Sequence, residues 1–185
     1  MSRPARSRLL MAVFVVVMVL VTRRLPDEVT WASTAVFVPL VALALWVTLP
    51  FQRARSLLAK RQFDDAATEL AAFEKSLVES GWKRAFASLA VGFYTSHPLA
   101  AARNTLGAVR LEQGRVDDAA THFSAALEHD ALYAVPWANR AVLAAMKGDR
   151  AAAEEARQKA ASLGYAPKIL ARVIADKLAA GKQLA

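Results

Sequence analysis

The sequence predicts an all-α protein: a transmembrane helical hairpin, then a short α-solenoid of stacked helix pairs closed by a C-terminal capping helix. Two apolar runs within the first 51 residues predict the hairpin. A spacing of 34 residues predicts the helix pairs: Gly114 recurs as Gly148, Ala119 as Ala153 and Ala126 as Ala160, and Gly107 is matched by another small residue, Ala141. A fixed period of that length, with small residues at the same offsets, marks helix pairs whose neighbours bury each other's apolar faces. The chain has no cysteine, which excludes disulfides and thiolate metal sites.

Leu9 to Val21 is an unbroken run of 13 apolar residues. That length suits a signal-peptide core as well as a span. Thr22-Arg23-Arg24-Leu25-Pro26-Asp27-Glu28 follows, however, and offers no small-residue cleavage site. Arg8, Arg23 and Arg24 can snorkel and lengthen the segment, so a first span is expected over about residues 9–25. Trp31 to Phe51 has 21 residues, enough at about 1.5 Å each to cross a hydrocarbon core of about 30 Å, and predicts a second span over 31–51. Pro39 within it is tolerable where neighbouring helices satisfy the freed carbonyl.

Charge orients the hairpin. Arg3, Arg6 and Arg8 precede it and Arg53, Arg55, Lys60 and Arg61 follow it, against only Arg23 and Arg24 in the connection. The more basic flanks belong in the cytoplasm, so both termini and the helical domain, residues 52–185, are expected there. An arginine- and alanine-rich chain without cysteine suits a bacterial inner membrane. Residues 1–61 hold nine basic and two acidic side chains, which accounts for most of the net charge of +8. The excess lies at the membrane flank, where it attracts anionic lipid, and argues against a nucleic-acid partner.

Beyond the hairpin, Phe63-Asp64-Asp65-Ala66-Ala67-Thr68 is almost a copy of Val116-Asp117-Asp118-Ala119-Ala120-Thr121, displaced by 53 residues. That is 19 more than the period, room for one extra helix. The segment from Gly81 to Tyr94 supplies it, since Trp82, Phe86, Leu89 and Phe93 form one apolar stripe at helical spacing. Two placements are open for this helix: packed within the solenoid, or lying on the membrane with Lys83 and Arg84 beside the stripe. Pro98 then suits the first turn of the next helix.

The clearest repeat covers 100–133. Gly107, Ala119 and Ala126 let helix backbones approach to about 8–10 Å, while Leu106 and Phe123 supply bulk. Gly114 sits in the turn between two helices, where a residue able to take positive φ ends the first one. Asp117 and Asp118 complement the dipole at the start of the second. A weaker repeat, 134–167, keeps Trp137, Ala141, Gly148, Ala153 and Ala160 but carries Arg140 and Arg157 at positions where bulk is expected. Gly164 closes its second helix and Pro167 opens a capping helix over 167–180, with Leu170, Val173, Ile174 and Leu178 turned to the solenoid.

Thr105-Leu106-Gly107, Gly114 to Ala119, Phe123 and Ala126-Leu127 together resemble the tetratricopeptide repeat (TPR) family, and Trp137 stands at its bulky aromatic position in the next repeat. The resemblance implies a membrane-anchored TPR-like protein in which the first helix of each pair lines a groove. By position, Asn104, Ala108, Leu111 and Glu112 face that groove, with Asn139, Val142 and Met146 from the next pair. Family members that clamp a chaperone's C-terminal carboxylate carry lysine where Asn104 stands and asparagine where Ala108 stands, so that ligand is not expected.

The expected function is a protein–protein interaction module, an adaptor, scaffold or assembly factor, that binds a protein partner in the groove. The alternative is a structural or accessory subunit of a larger membrane complex, held by its hairpin. His122 and His129 lie seven residues apart, two helical turns, too far for one metal ion without an outside ligand. Asp64-Asp65 and Asp117-Asp118 suit helix starts rather than acid–base chemistry. No phosphate loop, catalytic triad or metalloprotease motif is present, so neither an enzyme nor a cofactor, metal or small-molecule substrate is expected.

Overall fold

The computed structural model describes residues 27–89 and 95–183, in which all regular structure is α-helical. The side chains of residues 27–34, 36, 37, 89 and 181–183 fall outside that description, as does the whole of the expected first span, 9–25. The described helices are α1 (Asp27–Ala59), α2 (Phe63–Glu79), α3 (Gly81–Leu89), α4 (Pro98–Glu112), α5 (Val116–His129), α6 (Ala134–Met146), α7 (Arg150–Ser162) and α8 (Pro167–Gln183). The stretches 100–133 and 134–167 contain α4 with α5 and α6 with α7, and α8 covers 167–180.

Four turns between helices share one stereochemistry. Gly114, Gly148 and Gly164 have φ of 76°, 77° and 93°, and Arg61 joins them at 62°. In each, the next N–H reaches back five residues: Gln62 to the Leu57 carbonyl, Arg115 to Arg110, Asp149 to Ala144 and Tyr165 to Ala160, all at 2.9 Å. This is the left-handed helix stop in which the backbone satisfies its own last carbonyls. It folds α1 onto α2 just as it folds α4 onto α5 and α6 onto α7.

α1 is one continuous helix of 33 residues that runs through Pro39 and Pro50. Val38, Pro39, Leu40, Val41 and Ala42 are all exposed, more than a full turn with no side packed. From Leu43 onward one face joins the first core: Leu43, Val47, Phe51, Ala54 and Leu58 pack with Leu70, Phe73 and Leu77 of α2, Ala87 of α3 and Leu106 of α4. The rings of Phe51 and Phe73 meet at 5.6 Å. The domain boundary drawn after Phe51 therefore falls inside α1, and the last residues of the apolar run, Val47 to Phe51, include core residues of the helical domain. Among the described residues, no helix is long and apolar enough to cross a membrane.

A second core joins Leu111 of α4, Phe123 of α5, Val142 and Leu143 of α6, Ala160 of α7 and Leu170 of α8. Small residues sit at the contacts: Ala119, Ala126, Ala141 and Ala160 are fully buried. Trp137 is half-buried, donates its indole N–H to the Ala131 carbonyl at 3.1 Å and lies beside the Arg140 guanidinium. Ala153 is half-buried on α7. On α8, Leu170 is buried and Ile174 partly so, whereas Val173 and Leu178 are exposed. The face of α8 that meets the second core is therefore narrower than its sequence pattern.

Candidate functional site: a cleft between the first helices

One cleft of about 710 Å³ opens along the first helices of the pairs. Phe51, Arg55, Leu58 and Ala59 of α1 form one wall, and Ala101, Asn104, Thr105 and Ala108 of α4 form the floor. Leu132, Tyr133 and Val135 at the entry to α6, with Asn139 one turn further on, continue it. Tyr165 and Ala166 of the last turn and Ile169 of α8 close the far side. Its volume falls within the range of about 300–1,000 Å³ common for ligand pockets, and its lining is mainly apolar.

Two amides break that apolar surface. Asn104 is buried, and its Oδ1 accepts from Asn139 Nδ2 at 2.9 Å. The bond ties α4 to α6 across the floor. It leaves the Asn104 amide N–H groups and the Asn139 carbonyl without a further partner among the described residues. The Thr105 hydroxyl is engaged internally, donating to the Ala101 carbonyl at 2.8 Å.

Of the seven positions assigned to the groove, Asn104, Ala108 and Asn139 line the cleft. Leu111 and Val142 do not: both are buried in the second core, the cluster that Leu170 of α8 also joins. Glu112 pairs with Lys177 of α8, which spans from the capping helix back to α4. Met146 is exposed at the end of α6, away from the cleft lining.

The wall from α1 was absent from the sequence assignment, although a signal for it existed. Displacing Asn104, Ala108, Leu111 and Glu112 by the same 53 residues that relate the two Asp-Asp motifs gives Phe51, Arg55, Leu58 and Ala59, the four residues of α1 that line the cleft. Tyr133, Tyr165 and Ile169 carried no such signal, since they are brought in by turns and by the placement of α8.

Charge perturbation lies elsewhere. His122, half-buried on α5, is held below its ordinary value of 6.5, first by burial and then by Arg110 and Arg103, with Glu74 opposing. His129 is lowered by burial and by Arg103. Arg103 itself is bonded to Glu74 at 2.8 Å, linking α4 to α2. Among the described residues, no group of three or more His, Asp or Glu is placed to hold a metal ion. No protein-family model matches the sequence, and no curated protein does.

Proposed function

We propose that this protein is a membrane-anchored interaction module, an adaptor, scaffold or assembly factor, whose TPR-like solenoid binds an extended segment of a protein partner in the cleft. The carrying observation is the Asn104–Asn139 pair on an otherwise apolar floor. One amide offers donors and the other an acceptor, the complement of a peptide group, while Leu58, Leu132 and Ile169 offer apolar surface to its side chains. Arg55 at the wall favours an acidic or carboxylate group on the ligand. The anchor in this reading is the hairpin expected over residues 9–25 and 31–51, whose second arm passes at Val47 and Phe51 into the core of the domain, with that domain on the cytoplasmic face. Confining the domain to the membrane raises the effective concentration of a partner held there without new contacts.

The accessory-subunit reading draws on a different surface, the exposed apolar circumference of α1 from Val38 to Ala42. Leu132 and Ile169 separate the two, being 49% and 57% exposed and therefore replaceable without touching either core. The tagged chain is recovered from membranes in mild detergent beside a Leu132→Glu, Ile169→Glu variant of equal thermal stability. Loss of the captured partner in the variant is the expected result. A partner that persists there, but disappears when residues 1–42 are replaced by an unrelated anchor, establishes the accessory subunit instead.

A further inference from the structure

The level at which α1 leaves the helical domain is marked by a compact group of two indoles and an ammonium. Lys83 Nζ of α3 lies 5.7 Å from the ring centre of Trp46 on α1 and 5.8 Å from that of Trp82. Trp82 meets the edge of Phe86 at 6.1 Å. Both indoles remain largely open, Trp46 58% and Trp82 48% exposed, and Arg84 is exposed beside them. Behind them α3 is seated on the first core through Ala87, which is fully buried. On the domain side of this level α1 contributes core residues. On the other side, Val38 to Ala42 are exposed on every face.

We infer that this group seats the domain directly on an anionic phospholipid bilayer, with Trp82, Lys83 and Arg84 of α3 in the headgroup layer level with Trp46. Three observations converge on lipid as the occupant. A helix that is apolar and unpacked around its whole circumference matches hydrocarbon rather than water. Tryptophan and lysine at its edge match the membrane–water interface, where an indole has one wet side and a cation meets lipid phosphate. Length supplies the third. Because Leu43, Val47 and Phe51 meet the core, the apolar run retains only the 12 residues from Trp31 to Ala42 clear of it. These span about 18 Å as a helix, short of a hydrocarbon thickness of about 30 Å. A short span draws its flanks into the interface, and the flank here is the domain itself. The open choice between a packed and an interfacial helix then resolves into both: Ala87 faces the core and Trp82 faces lipid.

This inference rests on the membrane-anchored reading, and one experiment separates their failures. The full chain is reconstituted into vesicles of phosphatidylcholine with phosphatidylglycerol as two single-tryptophan proteins, retaining Trp46 or Trp82 with every other tryptophan changed to Phe. Lipids carrying a nitroxide near the headgroup serve as quenchers. Both proteins are expected to be quenched. In the Trp82 protein a Lys83→Glu, Arg84→Glu change, with circular dichroism unaltered, is expected to abolish the quenching. Quenching of Trp46 alone overturns the seating while leaving the anchor intact. Quenching of neither, with no flotation of protein with the vesicles, overturns both. A Trp82 shielded from both nitroxide lipid and aqueous acrylamide overturns the seating in favour of a second copy of the chain on that face.

Discussion

Gly107 and Phe123 form a size-matched pair. A Cβ built on Gly107 would lie 2.6 Å from the Phe123 ring, which is fully buried and has nowhere to retreat. One period later the equivalents are Ala141 and Arg157, and the arginine reaches out to Glu154 instead of filling the crossing. The pair α6–α7 therefore accepts a methyl group where α4–α5 cannot, which is the physical reason the 34-residue match weakens there. Gly107→Ala is expected to destabilise by about 1–3 kcal/mol despite its better helix propensity, read as a lower urea midpoint. An unchanged or raised midpoint would refute the pairing. The histidines give a second test at this scale. His122 and His129 have folded-state values below 6.5, so the unfolded chain binds the extra protons as pH falls. Their contribution is complete above about pH 6.5 and declines as pH drops through the window down to the lowered values. Melting temperatures measured across that range should fall with pH, and less so in a His122→Gln, His129→Gln variant. Equal slopes in both proteins would dispose of this account.

At the scale of elements, the four left-handed turns explain why the sequence shows three glycines and one arginine at equivalent places. Gly114, Gly148 and Gly164 adopt positive φ without a Cβ penalty, whereas Arg61 adopts 62° with one. The left-handed conformation costs a non-glycine residue roughly 1–2 kcal/mol, and glycine gives back part of that as unfolded-state entropy. Arg61→Gly should therefore stabilise by about 0.5–1 kcal/mol, seen as a higher denaturant midpoint; a drop would show that the Arg61 contact with the Phe63 ring matters more than the backbone. α1 illustrates a different point. Apolarity identified the run from Trp31 to Phe51 but could not divide it, because lipid and a protein core select the same side chains. The division comes from spacing: residues at Val47, Phe51 and Ala54 repeat on one face and join the core with α2, while Val38 to Ala42 are exposed.

For the whole molecule, the seating of α8 on the second core decides which of its own apolar residues are buried. Leu170 is fully buried in the second core, whereas Val173 is exposed, although the apolar pattern of the helix offers both. Leu170→Ala should cost about 2–5 kcal/mol and Val173→Ala within about 0.5 kcal/mol, measured by thermal or urea unfolding. Similar losses for the two would show that α8 sits differently on the second core. Leu111 and Val142 are buried in the same core and Glu112 is engaged through Lys177 of α8, so that Asn104, Ala108 and Asn139 are the part of the expected groove that lines the cleft.

The sequence by itself determined the all-α class, the turn positions, the small-residue contacts and the extra helix between displaced motifs, because each depends on local sterics that repeat at a fixed interval. Tertiary structure alone decided that α1 serves the first core, that α8 joins the second core through Leu170, and that Lys83 stands close to both Trp46 and Trp82. Those outcomes depend on which faces meet across distant parts of the chain, and periodicity locates a face without naming what it will touch.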